Sequence, residues 1–149
     1  MVSNKKTVQS TIGHVSIEVS SLKNSREFYE VLLKELDCRL IVDGRTTIAF
    51  ANRNFQVWVC ESQPSRVKRE SPTGEELAVA DHLAILVSDK ETVNAVAARM
   101  KKSGFAPLFP PEEHPEFTHG YYAVSFCDPD NYVTEIYTEP EEARTVFHT

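Results

Sequence analysis

His14-Val15-Ser16-Ile17-Glu18-Val19-Ser20 recurs as His82-Leu83-Ala84-Ile85-Leu86-Val87-Ser88. Both copies read His-apolar-x-Ile-x-Val-Ser, and both lead into a stretch with helical spacing. Side chains of a strand alternate between its two faces. Val15, Ile17 and Val19 therefore line one apolar face, as do Leu83, Ile85 and Val87 in the second copy. The histidines fall on the opposite face at matching places. An internal repeat of this kind outranks any single motif as a guide to architecture. It sets a metal-capable imidazole at the same point of each half.

The segments that follow each copy repeat as well. After the first, Asn24-Ser25-Arg26-Glu27 reads as a capping box, with Phe28, Val31, Leu32 and Leu36 at helical spacing. The helix should stop near Asp37, in a left-handed conformation. Three short strands are predicted next, over Cys38–Val42, Thr46–Ala51 and Phe55–Cys60. After the second copy, Ser88-Asp89-Lys90-Glu91 is another capping box. Val93, Val96, Ala97 and Met100 carry the stripe, and Gly104 suits the position just past the helix. Strands are expected at Phe105–Phe109, Tyr121–Cys127 and Tyr132–Thr138, with a loop over 110–115. The last two strands are joined by the turn Asp128-Pro129-Asp130-Asn131, where Pro supplies a fixed φ and Asn tolerates a positive one. Each half thus reads βαβββ. The expected fold class is α+β, two such modules forming a half-open barrel around a metal site. One domain spans 1–149, with a first module over 11–61 and a second over 81–138. The polar stretch between them reads as a solvated connector, and the acidic tail from Glu139 as a short helix or a covering segment.

The totals limit the function classes. At 149 residues the chain is long enough to bury one core, and its formal charge of −6, with no basic run, argues against nucleic acid. No window approaches the roughly 20 apolar residues of a membrane span. Residues 1–10 are polar and lack the apolar centre of a signal peptide. Cys38, Cys60 and Cys127 have no ligand-like spacing and suit reduced thiols in a cytoplasmic protein.

Glu135 lies mid-strand, with Val133 and Tyr137 on its own face and Thr134 and Ile136 on the other. A carboxylate there is costly to bury unless a cation balances it. Together with His14 and His82 it suggests a divalent metal held by two imidazoles and one carboxylate, with positions left open for substrate.

His14, the helix phrase Ser25-Arg26-Glu27-Phe28-Tyr29, His82 and the run from Asp128 to Glu135 resemble, in order and spacing, the vicinal oxygen chelate superfamily. That group contains glyoxalase I, extradiol dioxygenases, and fosfomycin- and bleomycin-resistance proteins. The resemblance covers about 12–138 and implies metal ligands at His14, His82 and Glu135, the last also as the catalytic base. The metal would be zinc, nickel, manganese or iron. The usual Gly of the last turn is Asn131. A fourth ligand, which glyoxalase I takes from the last strand of its first module, has no acidic counterpart here. Gln56, Trp58 and Cys60 share the cavity-facing parity, and either Gln56 or Trp58 falls at that place. His119, Tyr121 and Tyr137 are further candidates for the substrate pocket, the first two in or beside a loop over its mouth. Glu18 reads as a polar rim residue.

The resemblance implies a metal-dependent lyase- or isomerase-like enzyme acting on a small substrate chelated through adjacent oxygens. The alternatives are an extradiol-type Fe(II) dioxygenase and a metal-free resistance protein that binds a drug or metabolite. A homodimer is expected, because open sheet edges need cover and modules of this type pair within or between chains.

Overall fold

The computed structural model describes residues 11–67, 69–70 and 81–144. Two βαβββ modules are seen. The first runs β1 (His14–Val19), α1 (Leu22–Glu35), β2 (Arg39–Asp43), β3 (Thr47–Ala51) and β4 (Gln56–Glu61). A short α2 (Pro64–Val67) follows. The second runs β5 (His82–Leu86), α3 (Lys90–Lys102), β6 (Phe109–Glu113), β7 (Tyr122–Cys127) and β8 (Val133–Thr138), and α4 (Glu141–Arg144) ends the described chain.

Each module makes one four-stranded mixed sheet of the same order, β1-β4-β3-β2 and β5-β8-β7-β6. The histidine strand pairs in parallel with the last strand of its own module, and the remaining pairs are antiparallel. Among the described residues no barrel closes, so the arrangement is half-open.

The two helices stop by the same device. After α1, Cys38 N–H donates to the Leu33 carbonyl and Asp37 N–H to that of Lys34, with Asp37 at φ 57°. After α3, Phe105 N–H donates to Met100 and Gly104 N–H to Lys101, with Gly104 at φ 91°. Both are six-to-one and five-to-two closures through a left-handed residue. The helix starts lie elsewhere than the capping boxes predict. The N-cap of α1 is Ser21, whose hydroxyl accepts from Asn24 N–H. That of α3 is Asp89, whose carboxylate accepts from Thr92 N–H at 2.8 Å. Glu61 supplies the α1 N-terminus from outside the helix, accepting the Leu22 N–H at 2.7 Å, a long-range partner that local motifs do not reveal.

The strand expected at Phe105–Phe109 sits instead over Phe109–Glu113, across Pro110 and Pro111. The physical reason is position. β6 pairs only with β7, with a register irregularity between Phe109 and Glu112, and an edge strand tolerates prolines that a central one would not. The connector is partly anchored: Val67 is buried, and the Arg69 guanidinium lies over the Tyr132 ring. The rest of it, at 68 and 71–80, lies outside the described residues, as do 145–149 of the tail.

One apolar core joins the modules. Ile17, Leu32 and Val59 belong to the same buried cluster as Ile85, Val96 and Ile136. Phe28 meets Phe105 edge-to-face at 5.4 Å between ring centres. Burying a side chain of this size contributes roughly 1.5–3 kcal/mol. Polar contacts fix the alignment. The Tyr29 hydroxyl donates to Asp128 Oδ2 at 2.7 Å, and Ser20 N–H donates to Asp130 Oδ2 at 2.7 Å. The turn that carries Asp128 is shaped as its residues predict, with Asn131 at φ 63°. Asp128 Oδ1 accepts the N–H groups of Asp130 and Tyr132, each at 2.8 Å.

Candidate functional site

A cavity of about 450 Å³ opens on the second sheet. Strand β8 places Val133 and Glu135 on its cavity side, and β5 places His82 there. In the parallel register His82 faces Val133 and Ala84 faces Glu135, while Ser125 faces Glu135 from β7. Two small neighbours leave the carboxylate room to reach past its own row. His82 Nε2 lies 3.5 Å from Glu135 Oε2. The Tyr121 hydroxyl donates to Glu135 Oε1 at 3.1 Å. Glu135 is only 9% exposed, so these contacts offset much of the cost of burying it. Burial, and then the charge of Glu135, push the Tyr121 hydroxyl well above its ordinary pKa, which keeps it a protonated donor.

The loop between β6 and β7 forms the mouth. His114 N–H donates to the Tyr121 carbonyl at 2.8 Å and so closes the loop, and Gly120 returns the chain at φ 80°. Aromatic rings of the loop and of β8 follow one another in contact. Tyr137 lies on Tyr121 at 4.8 Å, Tyr121 meets Phe117 at 5.4 Å, and Phe117 stacks on His114 at 5.6 Å. His114 Nδ1 is 2.9 Å from Glu116. The Glu116 carboxyl is held below its ordinary range by its own backbone N–H and then by His114. Glu112 and Phe109 of β6 complete this wall.

The predicted residues fall into two groups. His82, Glu135 and Tyr121 line one cavity, with Tyr137 stacked behind Tyr121. His14, Gln56 and Trp58 lie together on the first sheet. His14 and Gln56 are register partners, the Trp58 indole N–H donates to Gln56 Oε1 at 3.1 Å, and the His14 and Trp58 rings are 6.5 Å apart. Among the described residues no three His, Cys, Asp or Glu side chains converge on one point. His119 is not part of the cavity lining; His114 and Phe117 of the same loop are. Sequence reasoning assigned that loop to the mouth but did not pick out His114, Phe117, Glu112 or Glu116. Their only sequence signal is the density of aromatic and acidic residues in the loop and the strand before it. Glu18 is not part of this cavity lining and pairs with Arg66 at 3.0 Å.

The family model of the glyoxalase/bleomycin resistance protein/dioxygenase superfamily matches residues 11–136. The chain belongs to this superfamily. No curated protein matches it. Similar solved structures include a superfamily protein from Alicyclobacillus acidocaldarius, 18% identical, with a TM-score of 0.67 over 91% of this chain and 96% of that one. A lactoylglutathione lyase from Agrobacterium tumefaciens is 16% identical, with a TM-score of 0.63 over 89% and 96%. A genomically encoded fosfomycin resistance protein from Listeria monocytogenes is 17% identical, with a TM-score of 0.64 over 92% and 99%. At these identities the likeness shows the superfamily fold. No helix among the described residues is long and apolar enough to cross a membrane.

The donor set bears on a divalent ion. Two donors each about 2.1 Å from an ion, at a tetrahedral angle, lie about 3.4 Å apart. The His82–Glu135 separation of 3.5 Å is of that size. A third donor is needed for a firm site, and the imidazole of His14 is carried on the other sheet.

Proposed function

We propose that this superfamily member is a metal-dependent, lyase- or isomerase-like enzyme for a small substrate that offers two adjacent oxygens. The observation that carries the reading is the His82–Glu135 pair, 3.5 Å apart on the wall of the cavity. His82 and Glu135 of one chain would hold the ion together with His14 of a second copy in a homodimer. Strands β1 and β5 are edge strands, and Ile12 and Leu86 beside them are exposed, which favours cover by another chain. When bound, the ion supplies Lewis-acid polarisation of the substrate oxygens. Tyr121 holds Glu135 Oε1 by its hydroxyl, which orients the carboxylate so that Oε2 faces His82. The loop carrying Phe117 and His114 limits water at the mouth.

A second reading rests on the same hydrogen bond. Tyr121 and His82 already partner Glu135, so the cavity is electrostatically tolerable as a metal-free binding site for a drug or metabolite.

Calorimetric titration with zinc, nickel, manganese and iron separates the two. The enzyme reading expects about one ion per site, and strong loss of affinity in both His14→Ala and His82→Ala chains. Mixing the two variants should restore about a quarter of the sites, since half of the dimers then carry one intact pair of faces. No metal uptake at neutral pH by the unmodified protein would reject the enzyme reading in favour of the binding protein.

A further inference from the structure

The charges of the cavity wall are one-sided. Glu135 is buried, Glu112 and Glu116 are exposed, and among the described residues no lysine or arginine contributes to the lining. Lys90 is engaged elsewhere: it pairs with Glu113, which is not part of the lining, and lies over the Tyr122 ring. Glu116 is matched by His114, whereas Glu112 has no ion-pair partner among the described residues. Phe117 and Tyr121 line the same cavity as these carboxylates, with Phe117 55% exposed. An exposed aromatic ring beside an unmatched carboxylate attracts an organic cation through both its π face and the neighbouring charge.

We propose that the cavity selects a small organic cation, its nitrogen held at the mouth by Glu112 and Phe117 and its opposite end directed toward His82 and Glu135. In the metal-free protein, anions of the phosphonate or carboxylate type are disfavoured, because among the described residues no lysine or arginine lines this wall and the carboxylates repel them. The inference rests on the reading of this cavity as the substrate site, and it supplies the substrate class that the reading leaves open.

Three soluble probes sharing a benzyl group test it: benzyltrimethylammonium, benzyl alcohol and benzylphosphonate. Each is titrated calorimetrically into the full chain, once after chelator dialysis and once with zinc added. The expected order is cation over alcohol by roughly tenfold, with the phosphonate weakest, in the metal-free protein. Glu112→Gln should reduce the cation's advantage to about threefold or less while leaving benzyl alcohol unchanged. Phe117→Ala should weaken all probes that bind. Both positions are exposed, so circular dichroism should match the unmodified protein. Equal affinity for cation and alcohol, tighter binding of the phosphonate, or no binding of any probe would overturn the proposal. Zinc uptake in the same samples reports separately on the metal site, so the two readings fail independently.

Discussion

The hydroxyl of Tyr29 is the polar contact that most directly ties the first module to the second. Tyr29 is 1% exposed and its acceptor, Asp128, 3%. Oδ1 of Asp128 already receives two backbone N–H groups, so among the described residues Oδ2 depends on Tyr29 alone. Tyr29→Phe keeps the ring in contact with Phe28 and removes only that donor. A hydrogen bond to a charged partner contributes about 1.5–3 kcal/mol, and the buried oxygen is left without a replacement. The expected loss is therefore about 2 kcal/mol, or about 4–8 °C in Tm for a chain of this size. It should depend on pH. Burial raises the Asp128 carboxyl above its ordinary pKa, while the bond from Tyr29 pulls it back. A group raised in the folded state contributes stability that is complete below its unfolded pKa and is lost as pH rises through the folded value. Without Tyr29 the folded value climbs further. The gap between variant and unmodified protein should then be widest at neutral pH and narrow as pH falls toward about 4, the ordinary aspartate value. Urea unfolding followed by circular dichroism, at one fixed protein concentration, measures this. A loss below about 0.5 kcal/mol, or a loss equal at both pH values, would refute the clamp as described.

Gly120→Ala places a Cβ at φ 80° and 2.8 Å from the Pro140 ring, so a loss of about 1–3 kcal/mol is expected in the same assay. An unchanged midpoint would show that the loop and Pro140 yield more easily than their packing suggests. If the first sheet completes the metal site, Trp58→Glu should tighten metal binding in calorimetry, because a carboxylate then joins His14 on that face. The unmodified protein, with one acidic ligand, should turn over the methylglyoxal–glutathione adduct about 10²–10⁴-fold less well than a site with two proton carriers. Robust turnover would mean that another group fills the place. Sedimentation at micromolar concentrations should show a dimer; a monomer throughout that range would remove the shared-site arrangement.

Much of the fold was legible because it is written in local or periodic terms. Alternation around the two histidine strands defines their buried faces by itself, since a strand has only two sides. The turn before Tyr132 and the ends of both helices depend on which residues accept positive φ, and Asn131, Asp37 and Gly104 are such residues. The internal repeat then predicts that the second module copies the first, as it does down to the helix-ending hydrogen bonds.

Other features were decided by partners distant in the chain. Ser21 outcompetes Asn24 as the start of α1 because Glu61, 39 residues on, waits for the Leu22 N–H. Pro110 and Pro111 can sit in a strand only because β6 lies at a sheet edge, a fact of topology and not of composition. The candidate site divides in the same way. Parity assigned His14 and His82 to matching faces; the cost of burying a mid-strand carboxylate and the family resemblance added Glu135. Which of those faces meet within one chain depends on how two finished sheets pack, and that is set by the joint core of Leu32, Val96 and Ile136 and by the Tyr29–Asp128 contact. Strand pairing within each sheet sets His82 beside Glu135 and His14 beside Trp58, and the packing of the sheets keeps the two groups apart. Alternation specifies the side of a strand on which a residue stands; only tertiary contacts determine what stands opposite it.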